Sequence, residues 1–394
     1  MFGLSFNPKR TPTSSCALAC CGRLSKVAQA RRRAVDAMGF FIGLGALIVR
    51  GESNVGPSRA AKTVLIAGVL LWAACNGRIE PELPAGAEPV TITIGRLDQD
   101  LFHAAPDSMA AASLRAHANY GEFYRLYIED ILQAAPVGDP RLPLALHRFV
   151  LDPDWSEAQH AADSVFGDMA EQRADLEGAF NRLKAHFPDS LAPRVVVFNS
   201  GYNYAIVPTD SVLGIGVEWF IGKDHPVIGY LAPERFPQYM KDRMQPDLLV
   251  PSAVKGWLMV HYLRDASGED LLAQLVETGK VMALLDAILP ECDAHQKLAF
   301  TADQLAWCEA NEYEIWKALV GKDQLYSKKG EDISRWMNDG PFTNGLPHES
   351  PGHIGEWIGM RMVQAYLKEN PRTAFVQLFA LNDPRLILKH YKPR

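Results

Sequence analysis

The feature that most constrains the fold is a change in hydrophobic period in the middle of the chain. Arg194–Ser200 has the sequence RVVVFNS, and its run of valines predicts a buried strand. Two further apolar runs, Tyr202–Pro208 and Ser211–Ile221, flank Thr209 and Asp210 and predict a β-hairpin. On both sides of this stretch the apolar residues repeat with the helical period. The sequence therefore predicts an α+β fold, predominantly α-helical, with a small central sheet preceded and followed by helices.

The helical segments are recognised by amphipathic spacing and by acidic residues in their first turns. They are predicted at Tyr120–Leu132, Asp168–Phe187, Pro233–Met244, Asp247–Leu263, Gly268–Leu289, Thr301–Val320 and His353–Glu369. A further strand is predicted at Pro89–Leu97, where β-branched residues alternate with small ones. Because no repeat or low-complexity linker interrupts the sequence after residue 90, residues 91–394 are predicted to form a single globular domain.

Charge divides the chain into a basic head and an acidic body. Residues 1–75 hold 10 Lys and Arg against 2 acids, a net charge of +8, whereas the remaining 319 residues hold 30 against 44, a net charge of −14. The acidic body argues against nucleic acid as a partner, because phosphate binding needs clustered Lys and Arg. A basic head followed by apolar sequence is typical of a targeting segment.

The apolar core of a signal peptide is predicted at residues 63–74, TVLIAGVLLWAA, after Arg59 and Lys62. This run is too short to span a bilayer, which takes about 20 apolar residues. Cys75 follows two alanines, as in a bacterial lipobox, although Trp72 stands where leucine is usual. Cys75 is therefore the predicted attachment site for acyl chains such as palmitate. The alternative is an ordinary cleaved signal, or a membrane anchor, beside an incidental cysteine.

The residues around this signal are interpreted from their position and composition. Asn76–Pro89 contains three prolines and two glycines, so residues 75–90 are predicted to be a lipid-anchored tether. Lipoprotein signals normally begin near the amino terminus, yet 62 residues precede this one and no Met lies between Met38 and Cys75. We interpret residues 1–62 as an N-terminal extension, with translation beginning at a non-Met codon near residues 50–60.

A series of short motifs along the body resembles one bacterial family. The motifs lie at Arg96–Leu101, Tyr120–Leu132, Asp210–Gly222, Pro237–Met244, Glu277–Pro290, Trp307–Trp316, Asp339–Thr343 (DGPFT) and Glu349–Tyr366 (ESPGHIGEWIGMRMVQAY). Together, from about residue 92 to the end, they are similar to the GldB family of gliding motility lipoproteins in Bacteroidetes. The resemblance implies a cell-envelope lipoprotein, held in the inner or outer membrane with its body facing the periplasm. It also implies partners among the envelope proteins of the gliding and linked protein-secretion machinery.

The GldB family also looks distantly related to zinc metallopeptidases, in which a small sheet precedes a helix that carries the motif HExxH. That motif aims two imidazoles at one Zn²⁺ and places the glutamate beside its bound water. No two of the 11 histidines enclose it. In the helix expected to align, Trp257 and Leu258 replace the first ligand and the base ahead of His261. We therefore expect metallopeptidase-like topology without catalysis or a cofactor, and a structural role for His261.

Four other residues leave an alternative open. The resemblance places Glu277 where related peptidases have a glutamate ligand, and His353 and Glu356 share one helical face near Glu349. A zinc hydrolase with ligands drawn from His261 and these residues is thus the alternative to a non-catalytic accessory or binding module. Under the non-catalytic interpretation, Glu277 is an ion-pair or hydrogen-bond residue and Glu356 complements a helix dipole. A carbohydrate-binding protein is a third interpretation, because 8 Trp and 12 Tyr offer rings for stacking on sugars.

The body holds two cysteines, Cys292 and Cys308. Outside the cytoplasm they could pair as a disulfide. Alternatively, Cys308 is a buried thiol and Cys292 lies in a loop. The sequence does not supply the Cα separation that distinguishes the two arrangements.

Overall fold

A computed structural model describes Leu83 and residues 88–394 of the chain. The predictions for residues 1–62, for the signal core at 63–74 and for Cys75 lie outside the described residues, as does most of the predicted tether. The single domain predicted for residues 91–394 stays a prediction. Within the described part, the helices are all too short or too polar to cross a bilayer.

Within residues 88–394, four short strands form one mixed sheet. They are β1 (Ile94–Arg96), β2 (Arg194–Phe198), β3 (Ile206–Pro208) and β4 (Val212–Gly216), in the order β1-β2-β4-β3. β1, β2 and β4 run parallel, and β3 runs antiparallel to β4. The N–H of Thr209 donates to the carbonyl of Val212 at 2.8 Å across the turn, so the predicted hairpin is confirmed.

Helices form most of the remaining structure. Before β2 the chain forms α1 (Leu97–Phe102), α2 (Met109–Tyr120), α3 (Glu122–Leu126), α4 (Leu142–Val150), α5 (Pro153–Phe166) and α6 (Ala170–His186). After β4 it forms α7 (Pro226–Tyr230), α8 (Gln238–Lys241), α9 (Leu249–His261), α10 (Leu271–Ile288), α11 (Ala294–Leu298), α12 (Ala302–Ala310), α13 (Glu312–Val320), α14 (Gly330–Met337), α15 (Ile354–Glu369), α16 (Phe375–Ala380) and α17 (Arg385–Leu388). Short 3₁₀ segments lie at Pro106–Ser108, Val217–Phe220, Pro246–Leu248 and Gly321–Tyr326, and one π-turn at Tyr127–Ile131. The predominantly α-helical α+β class is confirmed.

The sheet separates two hydrophobic cores. Val195 and Val197 of β2 face the larger core, which is completed by α5, α6, α9, α10 and α15. Val196 and Phe198 face the smaller core, which is completed by α1, α2, α3 and α4. Successive side chains of a strand point to opposite faces, so a strand between two cores needs apolar residues at every position. This arrangement explains the uninterrupted valine run.

Two predicted helices differ from the structure. The prediction of one helix over Pro233–Met244 is wrong, because only the four residues of α8 are helical there. Pro237 falls inside the predicted span, and proline lacks the N–H that a helix interior requires. The predicted helix over Thr301–Val320 is divided into α12 and α13 at Asn311. The side-chain amide of Asn311 donates to the carbonyl of Trp307 at 2.8 Å, which ends the first helix.

The strand predicted over residues 89–97 is also shorter than expected. Its first residues are held by side chains of α6 and not by a strand partner. The N–H of Val90 donates to Asn181 Oδ1 at 2.8 Å, and the N–H of Ile92 donates to Glu177 Oε1 at 2.9 Å. β1 therefore begins only at Ile94.

The two long helices α10 and α15 make a backbone-to-backbone contact. A Cβ placed on Gly279 of α10 would lie 2.2 Å from the carbonyl of Gly359 in α15, and one placed on Gly359 would lie 1.9 Å from the carbonyl oxygen of Leu275. Backbone atoms cannot move aside as a flexible side chain can. The approach of these helices therefore depends on glycine at both positions.

We expect Gly359→Ala to lower the free energy of unfolding by about 3 kcal/mol, because the methyl group forces the packed helices apart. The matched control is Gly178→Ala in α6, where the new Cβ would meet only Arg182 Nη1 at 3.6 Å. Alanine favours the helix there and should stabilise by up to about 1 kcal/mol. Urea denaturation of both variants checks this, and a Gly359→Ala protein as stable as the wild type contradicts it.

Candidate functional site

Three parallel strands end at the same edge of the sheet, and a buried polar residue follows each of them. Asp98 follows β1, Asn199 and Ser200 follow β2, and Glu218 follows β4; all four are 0% exposed. Ligands of sheets with parallel strands bind outside this carboxyl edge. We call Asn199, Ser200, Tyr202 and Glu218 the strand-end centre.

Glu218 organises this centre through one carboxylate oxygen. Its Oε1 accepts hydrogen bonds from the N–H of Ser200 at 2.9 Å, the Oγ of Ser200 at 2.6 Å and the N–H of Tyr202 at 3.1 Å. Burial raises the pKa of Glu218 to about 7, although these hydrogen bonds act to lower it. Glu218 is therefore a fully buried carboxyl group that titrates near neutral pH.

The turn that Glu218 holds has an uncommon backbone conformation. Gly201 and Tyr202 are consecutive residues with φ of 62°, in the left-handed region that a non-glycine residue seldom adopts. Ser200 Oγ also accepts from the N–H of Tyr204 at 3.1 Å, which closes the turn from inside. The strained Tyr202 conformation persists because the surrounding hydrogen bonds determine it.

A second chain of polar contacts joins the centre to the smaller core. Arg96 pairs with Asp98 at 2.7 Å, and Gln159 Nε2 donates to Asp98 at 2.9 Å. Asn199 Nδ2 donates to the side-chain oxygen of Gln159 at 3.3 Å, and the hydroxyl of Tyr127 donates to the Asn199 carbonyl at 2.7 Å. Tyr127 begins the π-turn, a local geometry that is frequent at functional sites.

The centre also holds unused hydrogen-bonding capacity. In the described chain, three of the four buried side-chain N or O atoms without a hydrogen-bond partner are Glu218 Oε2, the Tyr202 hydroxyl and Trp219 Nε1. The rings of Tyr202, Trp219 and Phe236 pack with centroids 5.8–6.0 Å apart, so these groups belong to one cluster. Buried polar groups are normally paired, so such an accumulation marks a candidate site.

Two of the predicted metal ligands lie at the head of α15 in an ion-pair network. His353 Nδ1 lies 3.1 Å from Asp339 Oδ1, and its Nε2 lies 3.0 Å from the carbonyl oxygen of Leu298. Both ring nitrogens are therefore engaged with oxygen atoms of the protein, and neither is left facing an open metal position. Glu356 forms an ion pair with Lys255.

The charges of this network alternate. Burial raises the pKa of Asp339, but the hydrogen bond from His353 and the charges of Arg243 and His353 hold it below its ordinary value. Burial likewise raises the pKa of Glu356, and the charges of Lys255 and His353 outweigh that effect and lower it. Asp339 and Glu356 are therefore ionised. Their contacts with His353 and Lys255 hold the loop before α15, and the first turn of α15, against the body.

The other predicted ligands lie in separate surroundings. Glu277 pairs with Lys280 at 2.8 Å and with Arg264 at 3.2 Å, and Glu349 is exposed. The ring of His261 stacks on Trp257 with centroids 3.9 Å apart. Its Nε2 lies 3.1 Å from the carbonyl oxygen of Thr209 in the hairpin turn.

The five predicted ligands therefore do not meet as one donor set. Over residues 88–394, no three His, Cys, Asp or Glu side chains approach closely enough to hold a metal ion. The residues present do not fit the zinc site of the alternative hypothesis. Cys292 and Cys308 are both free thiols in the structure. Burial raises the pKa of Cys292 to about 11 and that of Cys308 still further, which keeps both protonated and unreactive.

Comparison with known families settles the resemblance. The family model described as gliding motility protein GldB matches residues 77–393, which is most of the chain. This chain belongs to the GldB family. Membership makes it a gliding motility-associated protein, and the lipoprotein name of the family associates it with the cell envelope. No curated protein and no solved structure matches the chain, and the relationship to metallopeptidases stays a prediction.

Sequence reasoning missed the strand-end centre of this GldB family member, although two signals for it exist. Glu218 is the only charged residue inside the apolar run Ser211–Ile221, which predicts a buried strand. Asp98 lies directly after a predicted strand. A carboxylate in such a position has to be paired or protonated when the segment is buried. The structure shows Asp98 paired with Arg96 and a raised pKa for Glu218.

We expect Glu218→Gln to change how the stability of this GldB family protein depends on pH. The raised pKa means that folding favours protonated Glu218, so its contribution is fully present below the ordinary pKa of 4.5 and is lost as the pH rises to about 7. Glutamine stays neutral, so the variant keeps its stability over this pH range. The wild type loses about 3 kcal/mol of its free energy of unfolding there. Urea denaturation across this pH range measures it. Parallel stability curves for the two proteins would show that Glu218 does not titrate as described.

Proposed function

We propose that this GldB family member is a non-catalytic accessory lipoprotein of the gliding machinery and its linked protein-secretion system. Acyl chains on Cys75 hold it in the inner or outer membrane, and residues 75–90 let the body stand off into the periplasm. There the body binds an envelope protein of the apparatus. The family match supports the pathway, and the geometry of the candidate ligands supports the absence of catalysis.

The observation that carries the non-catalytic proposal is that both ring nitrogens of His353 already face protein oxygens. A hydrolytic zinc site needs imidazole nitrogens with free lone pairs and a carboxylate free to accept a proton. The ring nitrogens of His353 instead face a carboxylate and a backbone carbonyl, and Glu356 and Glu277 each form ion pairs. These groups therefore stabilise the fold, and nothing in their arrangement favours the zinc-hydrolase alternative.

The segment at the end of α7 offers a rigid surface for a protein partner. Tyr230, at the end of α7, is 81% exposed. The buried ammonium group of Lys241 lies 2.6 Å from the carbonyl oxygen of Leu231 and 3.4 Å from that of Gly229, so the backbone on both sides of the tyrosine is fixed. Exposed tyrosines are enriched at interfaces, and a prefixed backbone lowers the entropy lost on binding.

Metal analysis of the purified chain tests the non-catalytic part. We expect no stoichiometric zinc in the wild type, in His353→Ala or in His160→Ala. The exposed His160 of α5 serves as the matched control, because it lies outside the candidate ligand set and its replacement leaves the fold unchanged, whereas His353→Ala also loses the contact with Asp339. Zinc that is stoichiometric in the wild type and lost in His353→Ala would establish the hydrolase alternative.

Photo-crosslinking in intact membranes tests the binding part. With benzoylphenylalanine in place of Tyr230, we expect a discrete covalent adduct that contains an envelope protein. The same replacement of Tyr313, which is 56% exposed on α13, is the control and should give little or no such adduct. Recovery of no envelope protein from the Tyr230 position would count against this surface. Recovery of none by general crosslinking would count against the accessory role itself.

A further inference from the structure

α2 and α4 lie side by side over the smaller core. Met109 and Ala116 of α2 and Leu142 and Leu146 of α4 belong to the same buried cluster, and the two helices contact each other. Helices that cover one core as neighbours turn their opposite faces outward together. Their outward faces therefore form one continuous surface, which we call the α2–α4 face.

The α2 half of this face is apolar and basic. Ala111, Leu114 and Ala118 follow the helical spacing i, i+3, i+7 and are exposed, with Leu114 72% accessible. Arg115 is exposed beside them. An exposed leucine between alanines has no partner on the body itself.

The α4 half repeats this composition. Arg141, Leu144 and Arg148 lie on one outward stripe of the helix, and Leu151 continues it directly after the last turn. Leu144 and Leu151 are 54% and 55% exposed. Leucine and arginine therefore alternate along the exposed side of α4.

The charge of this face is opposite to that of the rest of the body. Residues 76–394 carry a net charge of −14, yet neither α2 nor α4 contains an Asp or Glu. Within the described residues Arg115 and Arg148 make no ion pair, and Arg141 pairs with Asp139 at 2.7 Å. The two unpaired arginines are thus available to anions outside the chain.

We propose that the α2–α4 face lies against an anionic lipid bilayer. Leucines and alanines that enter the headgroup region, next to arginines that contact lipid phosphates, are the composition of an interfacial helix surface. Anionic lipids repel the acidic remainder of the body, so this face is the side that approaches them. The contact is a second attachment to the membrane, in a fixed orientation, beside the proposed anchor at Cys75. It does not require that anchor.

The entry point of the chain agrees with this orientation. The hydroxyl of Tyr120, the last residue of α2, donates to Asp100 at 2.7 Å, and the ring of Tyr120 contacts Gly95 in β1. The end of α2 is therefore adjacent to the strand that follows the amino-terminal segment. A stretch of 14 residues spans about 50 Å at most when fully extended, so a chain of the length of residues 75–88 leaves the body free to rest on the membrane.

Chemical footprinting of the full chain in lipid vesicles tests the proposal. Phenylglyoxal modifies accessible arginines, and mass spectrometry reads each site separately. Relative to phosphatidylcholine vesicles, we expect phosphatidylglycerol vesicles to slow modification of Arg115 and Arg148 about fivefold, the factor that one basic residue held at an anionic surface contributes. Arg372, exposed after α15, is the control within the same molecule and should react equally in both.

A variant and a salt series complete the test. Leu114→Asp with Leu144→Asp changes only exposed positions, so the fold is kept while protection of Arg115 and Arg148 in phosphatidylglycerol vesicles is lost. High salt should remove the protection in the wild type as well, because it screens the attraction to lipid phosphates. Equal reaction rates in the two kinds of vesicle would overturn the proposal. Protection in native membranes without protection in pure lipid would also overturn it, and would assign the face to a protein.

Discussion

The contact between Gly279 and Gly359 fixes the two longest helices that follow the sheet, α10 and α15, against each other. Because α10 and α15 touch through backbone atoms, no side chain can adjust the distance between them. α10 is buried along almost its whole length, so α15 is fixed against the centre of the larger core. The loop before α15 is then held so that His353 lies beside Asp339, and Glu356 in the first turn of α15 lies beside Lys255. The ion-pair network is thus a consequence of a packing contact that contains no charge.

The sheet constrains the rest of the body in a comparable way, because it divides the body into two cores. A strand buried on both faces leaves polar residues only at its ends, and the ends of β1, β2 and β4 coincide. In the turn with two left-handed residues, Glu218 accepts from the N–H groups of Ser200 and Tyr202, and Asn199 Oδ1 accepts from the N–H of Gly201. Its second oxygen has no described partner. The strand-end centre therefore combines a structural task with polar capacity that the fold does not use.

Local patterns were sufficient to predict the fold class, the hairpin at Thr209 and the helix that begins after His353, since each depends on periodicity and turn chemistry. Two errors, at Pro237 and Asn311, also have local causes that could have been read from the sequence. The pairings that define the sites could not be. Lys255 and Glu356 are separated by 101 residues, and Asp98 reaches Gln159 across 61. Only the packing of α10 on α15, and of helices on the sheet, brings such partners together. The sequence therefore indicated His353 and Glu356 as candidates but not the residues that pair with them.

The way the chain enters the sheet has a mechanical consequence. β1 is an edge strand, it is parallel to β2, and the segment before it is clamped by Asn181 and Glu177 of α6. A pull on the amino-terminal side along the axis of the strand loads these clamps and the β1–β2 hydrogen bonds simultaneously, in shear, and does not open them one after another. A pull applied to the amino-terminal side of this gliding motility-associated protein would thus be borne by an element in which several bonds share the force.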